Sequence, residues 1–90
     1  MTLAEALSIL HIDQGDNDDL VRALIAAIPP YIETCTGLKE EYQDSEQLVK
    51  TVSGLLLTQW YYQDHCDVQN LSRTIDALLK AISARARAYA

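Results

Sequence analysis

Histidine and cysteine are the residues of this chain that could coordinate a transition metal or form a nucleophile–base pair. The sequence holds two of each: His11, Cys35, His65 and Cys66. Structural zinc sites bring their ligands in close pairs such as Cys-x-x-Cys, and no such pair occurs. His65 and Cys66 are adjacent in sequence, and the side chains of adjacent residues rarely point at one another. A nucleophile–base pair between a Cys and a His that are distant in sequence stays open, because such partners meet only in the folded protein. We predict no metal, no cofactor and no catalytic residue.

Carboxylates could instead bind calcium, and four lie close together near the start of the chain: Asp13, Asp16, Asp18 and Asp19. An EF-hand loop needs oxygen ligands at its positions 1, 3 and 5, glycine at 6 and glutamate at 12. Counted from Asp13, position 3 is Gly15 and position 12 is Leu24. Capping explains the run more simply: Asp16 or Asn17 precedes a helix, and acidic residues are favoured in its first turn.

Three large aromatic residues follow one another at Trp60, Tyr61 and Tyr62. Consecutive helical positions spread three rings over about 200° of arc, so they do not all face one core. One interpretation places the tryptophan in the core with the tyrosines at its edge. The other has at least one ring filling a pocket of a partner protein.

The net charge is −6, and the charges are sorted along the chain. Such a balance argues against gripping nucleic acid, which requires Lys and Arg on the phosphates. Residues 1–45 carry only Arg22 and Lys39 as bases, against nine acids: Glu5, Asp13, Asp16, Asp18, Asp19, Glu33, Glu40, Glu41 and Asp44. From residue 68 onward the balance reverses, with Asp76 against four bases: Arg73, Lys80, Arg85 and Arg87.

Solvated helix faces would explain this sorting, and so would head-to-tail pairing of identical subunits. In the second case Asp16, Asp18 and Asp19 of one copy would face Arg85 and Arg87 of its neighbour. Exposed ion pairs contribute only about 0–1 kcal/mol each, so Tyr61 or Tyr62 would supply most of the affinity. The predicted subunit interface therefore comprises eight residues: Asp16, Asp18, Asp19, Trp60, Tyr61, Tyr62, Arg85 and Arg87.

The elements that must position these residues are helices. Few glycines and prolines, with abundant Leu, Ile and Ala, favour helix over strand. The apolar spacing predicts one all-α domain over residues 1–90, an antiparallel bundle of about four helices near 2–11, 17–37, 45–64 and 70–85. In the second helix Leu20, Leu24, Ile28 and Ile32 form the expected core stripe.

Local signals refine these boundaries. Thr2 and Glu5 have the spacing of a capping box, and Gly37 is a left-handed stop for the second helix. Pro29 and Pro30 each remove a backbone donor, so that helix must kink, or break and restart, at 29–30. Residues 38–43 are expected to be an exposed connector, with Asp44 or Ser45 capping the third helix.

The third helix is apolar most of the way round, from Leu48 to Tyr62. Positions 48, 52, 55, 56 and 59 mark its predicted core face, and Leu57, Trp60 and Tyr61 widen it. A helix with so broad an apolar arc is either central in its bundle or shared with a neighbouring subunit.

The chain shows no basic, apolar leader, and its longest uncharged run, residues 51–63, is too short to span a bilayer. We therefore expect a cytoplasmic protein with no membrane association. In that compartment Cys35 and Cys66 are expected to be free buried thiols rather than a disulfide.

Several segments, taken in order, resemble the head–tail connector proteins of tailed phages and prophages. Residues 7–20 read LSILHIDQGDNDDL, which contains an Ile-Asp pair, a short gap and an Asp-Asp pair. An aliphatic helical segment follows and ends in Tyr31-Ile32 and Thr36-Gly37. This order of features is the one that resembles the family. The run LLLTQWY at 55–61 resembles the family's third helix, and Leu78-Leu79 its last. Two features depart from the pattern: Pro29-Pro30, where the family has an uninterrupted helix, and Asp64, where a basic residue is expected.

The resemblance implies a structural virion protein with no enzymatic activity. Copies would assemble as a homo-oligomeric ring under the portal protein after DNA packaging, and would offer a docking surface to the stopper or tail-completion protein. DNA would pass through the channel without specific binding. The protein would reside at the head–tail junction of the virion, and in the bacterial host cytoplasm during assembly.

Two other function classes stay open. The first alternative is a small non-enzymatic regulatory module that binds a single host or phage protein. The second is an enzyme subunit or metal-dependent hydrolase. Solution mass separates the connector from the regulatory module, and metal content tests the last.

Overall fold

A computed structural model describes residues 1–63 and 70–89 of the chain. Five α-helices follow in order: α1 (Leu3–Leu10), α2 (Asp18–Thr36), α3 (Glu40–Gln43), α4 (Gln47–Tyr61) and α5 (Leu71–Ala86), with a 3₁₀ turn at Arg87–Tyr89. No strand occurs within the described ranges. The predicted all-α class is confirmed, and the four longer helices are the four expected from the apolar spacing.

The capping box that begins α1 is formed as predicted. The Thr2 hydroxyl accepts from the Glu5 backbone N–H at 3.2 Å, and the Glu5 carboxylate accepts from the Thr2 N–H at 3.1 Å. The helix ends at Leu10, and the next residue, His11, caps it in a left-handed conformation with φ 58°. Ile12, the single apolar residue of the loop between α1 and α2, packs against the core. The loop is thereby attached to the bundle.

The core face of α2 lies beside the one that the sequence indicated. Val21, Ile28 and Ile32 are buried, whereas Leu20 is 50% exposed. Leu24 is only half-buried. The apolar residues of α2 are spread over too wide an arc to face one core, and the packing of the other helices decides which side is covered.

Helix α2 continues through Pro29 and Pro30 without a break. The Pro29 carbonyl accepts from the Gln43 side-chain amide at 3.0 Å, and the Pro30 carbonyl accepts from the Thr34 hydroxyl at 2.9 Å. Neither bond replaces the missing proline N–H groups, whose helical acceptors would be the Ile25 and Ala26 carbonyls; the burial of Ile28 and Ile32 on either side packs the helix against the core at this point.

The prediction of an exposed stretch over residues 38–43 holds for the charged residues 39–41 but is wrong for Leu38 and Gln43, which are buried. Gly37 is the left-handed stop, with φ 80°, but Leu38 is 1% exposed and α3 begins two residues later. The amide of Gln43, itself buried, also donates to the Leu38 carbonyl at 3.1 Å. The buried Leu38 and the hydrogen-bonded Gln43 therefore hold this charged segment against the bundle.

Helix α4 is central: it packs against α1, α2 and α5. Its buried residues are Val49, Val52, Ser53, Leu56 and Leu57, so the core face is rotated toward 49, 53 and 57 from the one predicted. Its first residue is Gln47, and the preceding cap is Glu46 rather than Asp44 or Ser45. Central placement accounts for the broad apolar arc without a second subunit.

The molecule is thin, with extents of 40 × 27 × 18 Å. Because a helix with its side chains is about 10–12 Å across, 18 Å admits only two layers of helices. Two layers leave several helix sides without a neighbouring helix.

Candidate interaction surfaces

The acidic residues before and within the first turn of α2 form local contacts. The Asp18 carboxylate accepts from the Gly15 N–H at 2.9 Å and closes the loop. Asp19 lies 3.5 Å from Arg22 on the same helix, and both side chains are well exposed. Asp16 is exposed. Pairing of this end with a neighbouring copy stays a prediction.

The three consecutive aromatic residues are all half-buried and bonded within their own chain. The Trp60 ring meets Tyr31 edge to face at 5.2 Å between centroids. The Tyr61 hydroxyl accepts from the Asn17 side-chain amide at 2.8 Å, and the Tyr62 hydroxyl donates to the Leu10 carbonyl at 2.6 Å. These contacts tie the end of α4 to α1 and α2. All three rings lie at the edge of the core, so the interpretation with a tryptophan inside the core and tyrosines at its edge holds for the tyrosines and not for Trp60.

The two arginines near the C-terminus differ in their surroundings. Arg85 contacts the carboxylate of Glu46 at 2.6 Å, and the Tyr89 hydroxyl donates to the same carboxylate at 3.2 Å. Glu46 is 4% exposed, and the Tyr89 ring stacks on Tyr42. Arg87 is exposed. Of the two predicted interface cations, Arg85 therefore has a buried partner in its own chain.

No three His, Cys, Asp or Glu side chains gather into a possible metal site within residues 1–63 and 70–89. Cys35 is free but exposed, which corrects the expectation of a buried thiol. His65 and Cys66 lie outside the described residues. In the same part of the chain, no helix combines the length and apolar character needed to cross a membrane.

A groove of about 550 Å³ opens between α1, α2 and α4, and we call it the α1–α2–α4 groove. Its volume falls in the range of about 300–1,000 Å³ that is common for binding sites. Met1 and Ile9 on its first wall are 45% and 40% exposed. Its lining comprises Met1, Glu5, Ile9, Ile25, Ala26, Ile28, Pro29, Gln43, Asp44, Val49, Lys50 and Ser53.

Charged side chains lie among the lining residues of this groove. The pKa of Glu5 is lowered, chiefly by its hydrogen bonds with Thr2, and the nearby Lys50 ammonium adds to the effect. Ile25 and Ala26 also line the groove. Their carbonyls lack the usual helical donors because Pro29 and Pro30, four residues ahead of each, have no N–H. The groove is thus a largely apolar surface with the charged side chains of Glu5, Asp44 and Lys50 among its lining.

A second uncovered surface runs along α2, and we call it the α2 stripe: Leu20, Leu24, Ala27 and Tyr31. Leu20 and Tyr31 are 50% and 40% exposed. The pKa of Tyr31 is raised by a hydrogen bond with the Cys35 side chain, then by partial burial, with electrostatic contributions from the Cys35 side chain and the Asp76 carboxylate. Helix α5 packs against α2, and its Asp76 is one of the groups that raise the Tyr31 pKa.

The sequence interpretation did not identify these two surfaces. It assigned Leu20 and Leu24 to the core and gave no role to Ile9. A signal was present, since Met1, Glu5 and Ile9 recur every four residues and the α2 stripe has helical spacing of four, three and four. Spacing alone does not say which of two apolar faces is covered.

Comparison with known proteins identifies no relative: no family model, no curated protein and no solved structure matches the chain.

Proposed function

We propose that this chain is a structural assembly subunit, a head–tail connector of the tailed-phage type that forms a homo-oligomeric ring under a portal protein. The ring offers a docking surface to a stopper or tail-completion protein. The observation that carries the proposal is uncovered apolar surface on two sides of one small acidic bundle: Met1 and Ile9 in the groove, Leu20 and Tyr31 on the stripe. Such patches mark protein-interaction sites.

The charge balance supports the same role. A net charge of −6 gives a ring wall that repels the DNA backbone. A channel for DNA needs such a wall, because positive walls bind phosphates and retard passage. The ordered sequence resemblance to phage connectors points the same way, as does the all-helical bundle.

The test is native mass spectrometry of the purified protein over a concentration series, with negative-stain electron microscopy of the largest species. We expect concentration-dependent growth to one closed oligomer with a central hole. A protein that stays monomeric or dimeric throughout, and remains so with a portal ring added, contradicts the proposal.

A second candidate function is a regulatory module that binds one host or phage protein. The α1–α2–α4 groove favours it, because a groove of this kind accepts the apolar face of a partner helix. This function predicts a monomer or dimer in the mass experiment and no ring.

A further inference from the structure

We infer that residues 85–89 are a latch that holds α3 in place as part of the wall of the α1–α2–α4 groove. Release of the latch loosens that wall, so the end of α5 and the groove are coupled. The inference goes beyond the proposed function and does not depend on it, because it concerns the shape of the groove and not the identity of what binds there.

The latch binds one buried carboxylate and one aromatic ring. The Arg85 Nε donates to one oxygen of the Glu46 carboxylate at 2.6 Å, and the Tyr89 hydroxyl donates to the other at 3.2 Å. The Tyr89 ring also stacks on Tyr42, with 5.0 Å between the ring centroids and 26° between the ring planes. The latch therefore holds both α3, which carries Tyr42, and the residue that precedes α4.

The segment that the latch holds also lines the groove. Gln43, the last residue of α3, is a lining residue together with Asp44. The Gln43 side-chain amide donates to the carbonyl of Pro29, another lining residue, at 3.0 Å. The Glu46 backbone N–H donates to the Gln43 carbonyl at 3.1 Å. Direct contacts therefore lead from Arg85 through Glu46 and Gln43 to the groove.

Helix α3 depends on such contacts for its position. It has four residues, whereas an isolated helix shorter than about 12–15 residues is marginal in water. Toward α2 it is held by the Gln43 bond and by a bond from the Glu40 N–H to the Glu33 carboxylate at 3.1 Å. Toward the end of α5 it is held by the stack of Tyr42 on Tyr89. Loss of the latch removes this second attachment.

The latch opens without displacing the rest of α5. Ile75 and Ile82 are 3% and 0% exposed and keep α5 in the core. None of the three residues of the 3₁₀ turn is buried, and the Arg85 side chain is 60% exposed. An acidic group of a binding partner therefore reaches Arg85 from solvent and competes with Glu46 for it.

Withdrawal of Arg85 destabilises the present position of α3. The Glu46 carboxylate is then buried without its cation, which is strongly unfavourable. Movement of Glu46 toward water carries α3 with it, because the Glu46 N–H is bonded to Gln43. A ligand that needs the wall in place favours the closed latch in turn, since coupling between two sites is reciprocal.

The test is NMR relaxation of the full chain, which gives backbone order parameters of the folded state. Arg85→Met removes the cation of the latch. Tyr89→Ala removes the hydroxyl and the ring but leaves the Glu46–Arg85 contact, and it is the second variant if Arg85→Met unfolds. Arg87→Met is the matched control, because Arg87 is an exposed arginine of the same segment.

We expect the order parameters of Tyr42 and Gln43 to fall from about 0.85 to below about 0.6 in Arg85→Met and in Tyr89→Ala. The value at Val21, which is buried in α2, should stay near about 0.85. Unchanged values at α3 in both variants overturn the inference. A fall of the same size at Val21 also overturns it, because the contact then stabilises the whole bundle and not the α3 wall.

The groove supplies a second readout that a purely local role of the latch would not move. The amide resonances of Ile25 and Ala26, which line the groove from α2, should shift in Arg85→Met and keep their positions in Arg87→Met. An α3 that loosens while these two resonances stay in place overturns the coupling between the latch and the groove.

Discussion

The buried carboxylate of Glu46 is the most consequential polar group in the described part of the molecule. It stands before α4 and binds both Arg85 and the Tyr89 hydroxyl near the C-terminus. A carboxylate taken out of water is costly unless it is paired and hydrogen-bonded. These two partners therefore keep the C-terminal end of α5 and its 3₁₀ turn against the start of α4.

Arg85→Met should lower the free energy of unfolding by about 1–3 kcal/mol, because Glu46 loses its cation while staying buried. Arg87→Met, at an exposed neighbouring arginine, is the control and should change stability by less than about 0.5 kcal/mol. Urea unfolding of both variants measures the difference. Equal effects of the two substitutions would mean that the Glu46–Arg85 contact does not stabilise the fold.

Tyr61 and Tyr62 should respond differently to loss of the hydroxyl. Tyr62→Phe leaves the Leu10 carbonyl without its 2.6 Å donor and should cost about 1 kcal/mol. Tyr61→Phe removes an exposed bond with Asn17 and should cost less. Urea unfolding of both phenylalanine variants tests this order, and the reverse order would contradict it.

Helix α2 carries the organisation of the bundle, and its two prolines are its weakest point. It contacts α1, α3, α4 and α5, and its opposite sides contribute to the groove and the stripe. Pro29 lines the groove, so substitutions there would mix stability with surface effects. Pro30 is exposed and reports on the helix alone.

Pro30→Ala should raise the free energy of unfolding by about 1–3 kcal/mol. It restores a donor to the Ala26 carbonyl and removes a ring clash worth about 3 kcal/mol; a more flexible unfolded chain offsets up to about 1 kcal/mol of this gain. Ala23→Gly, at an exposed site on the same helix, should lower stability by about 1 kcal/mol. Thermal and urea unfolding give both values, and a neutral or destabilising Pro30→Ala would show that the helix is adapted to the proline.

The whole molecule is a thin bundle that leaves apolar surface uncovered. A domain of this length buries only about 60–65% of its unfolded surface, and the smallest dimension of this one is 18 Å. Association of copies would cover Leu20, Tyr31, Met1 and Ile9. Assembly and stability should therefore rise together with protein concentration.

Metal and disulfide bonds should contribute nothing to the stability of the purified protein. We expect the melting temperature to be the same with and without a chelator, and with and without a thiol reductant, because the sequence offers no paired ligand set. Differential scanning fluorimetry measures all four conditions. A reproducible fall in melting temperature with either reagent refutes the prediction and directs attention to Cys35, Cys66 and the two histidines.

Local signals in the sequence were sufficient to predict the helices and several of their ends. The Thr2–Glu5 capping box and the Gly37 stop depend on residues within three or four positions of one another, so spacing determines them. The all-helical class follows from composition and period alone.

The covered side of each helix was decided by packing between distant segments. Leu20 and Val21 are equally good core residues by type, yet one is 50% exposed and the other fully buried. Leu38 is buried in the core, and Gln43 donates to the carbonyl of Pro29, fourteen positions earlier in the chain. Arg85 forms an ion pair with Glu46, which lies thirty-nine positions earlier in the sequence. The spacing of apolar residues in the sequence gives the width of the apolar arc on each helix. Which part of that arc is covered depends on the neighbouring helices in the assembled bundle. The groove and the stripe are the apolar surfaces that this packing leaves uncovered.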